Sequence, residues 1–77
     1  MVITVRALGD LKQYRPDRQE RFVLELPDGA TVKALIDASG VPWDEVTLVA
    51  VNGQQAGDDR VLAPGDQVWL IAPLEGG

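Results

Sequence analysis

The chain has no cysteine and no histidine among its 77 residues. Without cysteine no disulfide can staple it, and without either residue no thiolate or imidazole can hold a metal ion. The nucleophile–base pairs that depend on those side chains are excluded as well. The fold is therefore expected to stand on its hydrophobic core alone, with no bound metal or cofactor, and 45% of the residues are hydrophobic. Zero cysteine also suits a reducing compartment, so a cytoplasmic location is expected. Positive charge is scarce, with 7 Lys and Arg against 12 Asp and Glu, a net charge of −5. Such a chain repels phosphate backbones, which argues against nucleic acid as a partner and favours a basic protein surface. Long apolar runs are missing. The longest, Val46 to Val51, is interrupted by Thr47 and is far too short to cross a bilayer. No basic stretch followed by an apolar one marks a signal peptide, and no glycine-rich nucleotide fingerprint occurs. Asp28-Gly29, Asn52-Gly53 and Pro64-Gly65 are turn pairs.

Strong alternation is what the chain does have. From Met1 to Leu8, Ile3, Val5 and Ala7 fall on one side and Thr4, Arg6 and Leu8 on the other, which predicts a half-buried strand. Arg21 to Leu26 alternates again, with Phe22, Leu24 and Leu26 inward. Between them, Leu8, Leu11 and Tyr14 predict one helical turn ended by Pro16. Thr31 suits a helix N-cap, Val32, Leu35 and Ile36 form one apolar stripe, and Gly40 with Pro42 stops the helix. Val46 to Val51 reads as a strand running into the hairpin signal Asn52-Gly53. A weak segment, Gln55 to Leu62, precedes the turn Pro64-Gly65-Asp66 and a last strand from Gln67 to Ile71.

Strand, strand, helix, strand, weak strand, strand leaves few topologies open. The expected fold class is α+β, a β-grasp with a mixed sheet and one main helix on one face. The last strand lies parallel to the first at the middle of the sheet. Residues 1–72 form the domain, and 73–77 are a flexible tail ending in Gly76-Gly77. Pro73 cannot extend the strand ladder, Glu75 prefers water, and two glycines carry no side chain to hold them down. Such an end can thread a narrow channel and present its carboxylate to another enzyme. The tail is expected to be disordered when free and ordered in a partner's channel.

The sheet face without the helix should carry Arg6 and Leu8 from the first strand and Trp69 and Ile71 from the last, with Leu74 extending toward the tail. Contiguous exposed apolar surface containing Trp and Arg marks a binding face. Its alternative is that Trp69 only covers the sheet edge. The acidic residues Asp44, Glu45, Asp58, Asp59 and Asp66 lie in turns without a partner for acid–base or metal chemistry, so no catalytic residue is assigned.

These segments together resemble the ubiquitin-like sulfur carriers of the MoaD/ThiS type. The stretches that carry the resemblance are Leu26-Pro27-Asp28-Gly29-Ala30-Thr31-Val32, Val49-Ala50-Val51-Asn52-Gly53, Leu62-Ala63-Pro64-Gly65-Asp66-Gln67-Val68 and Pro73-Leu74-Glu75-Gly76-Gly77. Ala7 and Ala72 depart from the usual pattern. The resemblance implies a protein co-substrate rather than an enzyme. An E1-like adenylating partner uses ATP to activate the carboxylate of Gly77, and persulfide sulfur then replaces AMP to leave a thiocarboxylate. A sulfur-accepting synthase subunit or thiolation enzyme receives the sulfur, with molybdopterin synthesis the favoured pathway. The slender tail Pro73, Leu74, Glu75 and Gly76 gives access, while Leu8, Arg6, Trp69 and Ile71 bind the partner, and the free chain is expected to be a monomer. Two other roles stay open: a ubiquitin-like modifier joined to lysines through the same tail, and a non-covalent interaction module.

Overall fold

The computed structural model describes residues 1–72; the expectations for Pro73 to Gly77 lie outside the described residues. Among the described residues there are five strands and one α-helix: β1 (Val2–Leu8), β2 (Arg21–Glu25), α1 (Val32–Ser39), β3 (Leu48–Val51), β4 (Gln54–Gln55) and β5 (Gln67–Ile71). The sheet runs in the order β2-β1-β5-β3-β4. β5 lies parallel to β1 and antiparallel to β3, at the centre. This is the β-grasp arrangement that the order of patterned segments implies.

Alternation sets the two faces. Ile3, Val5 and Ala7 of β1 and Val68 and Leu70 of β5 are fully buried under α1. The helix adds Val32, Leu35 and Ile36, also fully buried. Each of the Val, Leu and Ile side chains among them contributes about 1.5–3 kcal/mol through removal from water. That burial sustains a helix of only eight residues, too short to persist alone. Its ends are closed by local chemistry. Thr31 Oγ1 accepts from the Ala34 N–H at 3.2 Å, and Gly40 takes the left-handed conformation, φ +85°, where a side chain would be strained. Ser39 is the buried polar residue in α1. Its hydroxyl donates to Ile36 O at 2.7 Å and accepts from the Val41 N–H at 3.1 Å, so the hydroxyl itself is satisfied. The Arg15 guanidinium donates to Ser39 O at the negative end of the helix and lies over the Phe22 ring, 3.8 Å from its centroid.

Two segments differ from the sequence reading. The run expected as a strand from Val46 forms β3 only from Leu48, with the Thr47 N–H already donating to Ile71 O at 2.8 Å, because Trp43–Glu45 just before it is a 3₁₀ turn. Tyr14, at the end of the 3₁₀ segment Gly9–Tyr14, donates its hydroxyl to Glu45 Oε1 at 3.0 Å and ties the two turns together. That bond, with smaller help from desolvation and the charges of Glu45 and Asp10, raises the Tyr14 pKa above its ordinary value. The weak fourth strand is shorter and earlier than expected, two residues directly after the hairpin turn. Beyond it the chain runs without a further strand until β5, held by the bridge from Val61 to Thr31 and by Leu62, which is buried in the core. Asp58 O and Arg60 O also hold it, accepting from the Lys33 and Val32 N–H groups at the start of α1 at 2.9 Å.

The Asn52-Gly53 turn does more than reverse the chain. Asn52 and Gly53 both have positive φ, +53° and +84°, as a two-residue hairpin of the favoured hand requires. Asn52 Nδ2 donates to Asp66 Oδ1 and its Oδ1 accepts from the Gln67 N–H, both at 2.9 Å. Asp66 Oδ2 accepts from the Ala63 N–H at 2.9 Å. This latch fixes the start of β5. Chiefly through the Ala63 bond, then the Asn52 bond, the Asp66 pKa is held below the ordinary aspartate value. A depressed folded-state pKa means the carboxylate stabilises the fold above the unfolded pKa, and loses that effect as pH falls through the folded value. Asp66→Ala should therefore cost about 1 kcal/mol near neutral pH, the scale of a lost hydrogen bond. Urea unfolding of parent and variant should converge in strong acid; a gap that persists there would contradict the latch.

Candidate functional site

The uncovered face of the sheet is assembled by register. The parallel pairing of β1 with β5 sets Arg6 beside Trp69 and Leu8 beside Ile71. The antiparallel pairing of β3 with β5 sets Ala50 beside Trp69 and Leu48 beside Ile71. The structure thus brings together all four residues expected from the sequence: Arg6, Leu8, Trp69 and Ile71. Trp69 is 39% exposed, while Arg6, Leu8 and Ile71 are half-buried. Since β5 is the central strand, Trp69 covers the middle of the sheet and not its edge. Leu74, expected to extend this surface, lies outside the described residues.

Three contributors were not identified from sequence. Leu48 and Ala50 continue the apolar surface onto β3, and Ala50 is buried although it is on the outer face. An unbroken apolar run gives no parity, so only the register reveals which of its residues face out. The third is Glu20, whose carboxylate receives both Nε and Nη2 of Arg6, with Nε at 3.1 Å. The pair holds the guanidinium 5.3 Å from the Trp69 ring centroid, within cation–π range. Glu20 sits in a polar segment with no pattern to mark it. The outcome is a flat apolar strip of Leu8, Ile71, Leu48 and Trp69, bordered by an ion pair that is charged yet locally neutral. Such a border tolerates apolar contact better than a lone cation would.

The strip leads to the chain's end. Ile71 closes β5, and Ala72 is half-buried against the body. Gly9 has φ +68°, and a Cβ placed there would come within 3.3 Å of Ala72 Cβ. The two smallest side groups therefore meet where the chain leaves the sheet. Gly9→Ala should cost about 1–2 kcal/mol for the left-handed backbone of a non-glycine residue. It should also displace the backbone amide signals of Ile71 and Ala72 in a heteronuclear correlation spectrum. Unmoved signals would show that this contact does not set the exit.

Among the described residues no cluster of acidic side chains could hold a metal ion, and no cavity opens that could take a small molecule. No helix among them is long and apolar enough to cross a membrane. The strip of Leu8, Ile71, Leu48 and Trp69 suits a flat macromolecular contact.

A family model described as Mut7-C ubiquitin matches residues 1–74. The chain belongs to this family. Solved structures share its fold. The chain is similar to the H. volcanii small archaeal modifier protein 1, at 20% identity over 95% of this chain and 98% of that one, with a TM-score of 0.78. It is similar to Urm1 from Trypanosoma brucei, at 26% identity over 99% and 95%, TM-score 0.73. It is also similar to a protein in the complex of subunits 1 and 2 of molybdopterin-converting factor from Helicobacter pylori 26695. There the identity is 26% over 100% of both chains, with a TM-score of 0.65. No curated protein matches it. The β-grasp, ubiquitin-like architecture expected from the sequence is thus the fold of this Mut7-C ubiquitin chain.

Proposed function

We propose that this chain is a sulfur carrier whose terminal Gly77 is the reacting residue. The observation that carries the reading is the build of β5. One central strand bears Trp69 and Ile71 on its uncovered face and leads, through Ala72, into Pro73-Leu74-Glu75-Gly76-Gly77. A partner that grips the strip with Leu8, Arg6 and the β5 residues is in place to receive the tail. Glycine at the last two positions lets the main chain approach an active site closely.

An E1-like enzyme would transfer AMP from ATP to the Gly77 carboxylate, releasing pyrophosphate. The terminal sulfur of a persulfide would then displace AMP to form an acyl disulfide. A thiol of the partner would attack its other sulfur, releasing the Gly77 thiocarboxylate and becoming part of a disulfide. The thiocarboxylate would pass its sulfur to an acceptor enzyme. A carboxylate is a poor electrophile, so activation must precede sulfur transfer, and the catalytic groups belong to the partners. Binding and presentation are the carrier's contribution. The likeness to a protein in the two-subunit molybdopterin-converting factor complex supports a synthase subunit of that kind as the acceptor.

A second reading is conjugation to lysines through the same activated tail, favoured by the likeness to a small archaeal modifier protein. The absence of cysteine gives a direct way to separate the two. After incubation with the activating enzyme, ATP and a persulfide donor, a thiol-reactive label should attach once, at the C-terminus. Labelling that stays absent while lysine adducts form would favour the modifier. Neither product would remove both readings.

A further inference from the structure

Among the described residues the sheet ends on β2, and no further strand pairs with that edge. In an antiparallel pair, main-chain groups alternate between facing the neighbour and facing away. The Ala7 N–H donates to Glu20 O and the Leu26 N–H to Met1 O, both at 2.8 Å, so the even-numbered residues here face β1. Arg21, Val23 and Glu25 therefore turn their N–H and C=O groups outward. Among the described residues, no turn, loop or cap bond engages them. Their side chains are exposed, Val23 at 59%, and lie on the same face as Trp69.

The side chains carry a pattern. Arg21 lies two residues before Val23, and Glu25 two residues after it. Strand edges that resist pairing usually carry charge of one sign, proline or a bulge. This edge carries opposite charges placed symmetrically about an exposed valine.

We infer that β2 is a self-complementary edge that pairs antiparallel with β2 of a second copy of this chain, centred on Val23. A two-fold axis there sets Val23 against Val23 of the second copy. Arg21 falls opposite Glu25 of the second copy, and Glu25 opposite its Arg21, so each favourable pair occurs twice. The outward groups of three residues on each strand exchange about six hydrogen bonds. Any shift of register by two residues breaks the charge match, which makes this alignment the favoured one. Both sheets then continue into one. Trp69 lies on β5, with β1 between it and the edge, so the strip remains free and the dimer can still engage a partner. A contact of five residues per strand buries little surface, so the dimer is weak and forms only at high concentration. The free chain stays monomeric when dilute, as its sequence suggests.

Sedimentation equilibrium of the full chain over a wide concentration range tests this. Dimer should accumulate with concentration. Arg21→Glu and Glu25→Arg should each weaken association by about tenfold or more, because both symmetric contacts become repulsive together. The double variant, Arg21→Glu with Glu25→Arg, should recover to within about threefold of the parent, since the pairs are only exchanged. Mixing the two single variants should give a heterodimer tighter than either variant alone. Circular dichroism confirms that each variant folds. A chain that stays monomeric throughout overturns the inference. So does a dimer indifferent to both reversals, or one lost instead on Trp69→Ala, which would place the contact on the strip.

Discussion

Deleting Gly77, or adding one residue after it, is expected to abolish ATP–pyrophosphate exchange by the activating enzyme and leave thermal unfolding of the domain unchanged. The two halves of this result have different physical origins. Among the described residues the buried core runs from Ile3 to Leu70, all of it before the tail, which is why unfolding is expected to be unchanged. Adenylation, by contrast, needs the carboxylate within bonding distance of a phosphorus atom. A misplacement of about one ångström at a reacting centre can cost a hundredfold in rate, and a missing or added residue shifts the end by over three. Exchange should therefore fall by about a hundredfold or more. Undiminished exchange with either variant would remove Gly77 from the chemistry, whatever the fold.

The second large effect contrasts two neighbours on β5. Leu70 points inward and is fully buried, paired with Ala7 and Val49. Leu70→Ala leaves a cavity at the centre of the core and should cost about 2–5 kcal/mol. Small domains have a total stability of only about 5–15 kcal/mol, so much of the population would unfold on mild heating. Ile71 points outward, between Leu8 and Leu48. Ile71→Asp should leave the circular dichroism spectrum native and weaken binding to the activating enzyme by about 2 kcal/mol or more, as at a central contact residue. If Ile71→Asp unfolded the domain, or Leu70→Ala did not destabilise it, the assignment of the two faces would be reversed.

Much of this was legible because β-strand periodicity and turn chemistry are local. Ile3, Val5 and Ala7 against Arg6 and Leu8 gave the faces of β1. Thr31 and Gly40 gave both ends of α1. Asn52-Gly53 gave the hairpin. What stayed hidden depended on register or on contacts between distant segments. Leu48 and Ala50 could not be assigned a face inside an apolar run, and the 3₁₀ turn at Trp43–Glu45 carried no strong breaker between itself and β3. Glu20 reaches Arg6 across a polar loop. The dual role of Asn52, turn former and latch to Asp66, follows only from where β5 starts. The open edge of β2 was equally invisible, because Arg21, Val23 and Glu25 read simply as the solvent side of an alternating strand.

High-resolution mass spectrometry of the chain isolated from the cells that make it tests the carrier role most directly. One oxygen of the Gly77 carboxylate should be replaced by sulfur in part of the population. Oxidation of Met1 or of a tryptophan adds nearly the same mass, so fragmentation must place the change on the C-terminal peptide. Sulfur on Gly77, lost in cells without the activating enzyme, is the result expected of a carrier. A C-terminus that carries only oxygen, in cells where the activating enzyme is present and active, would contradict it.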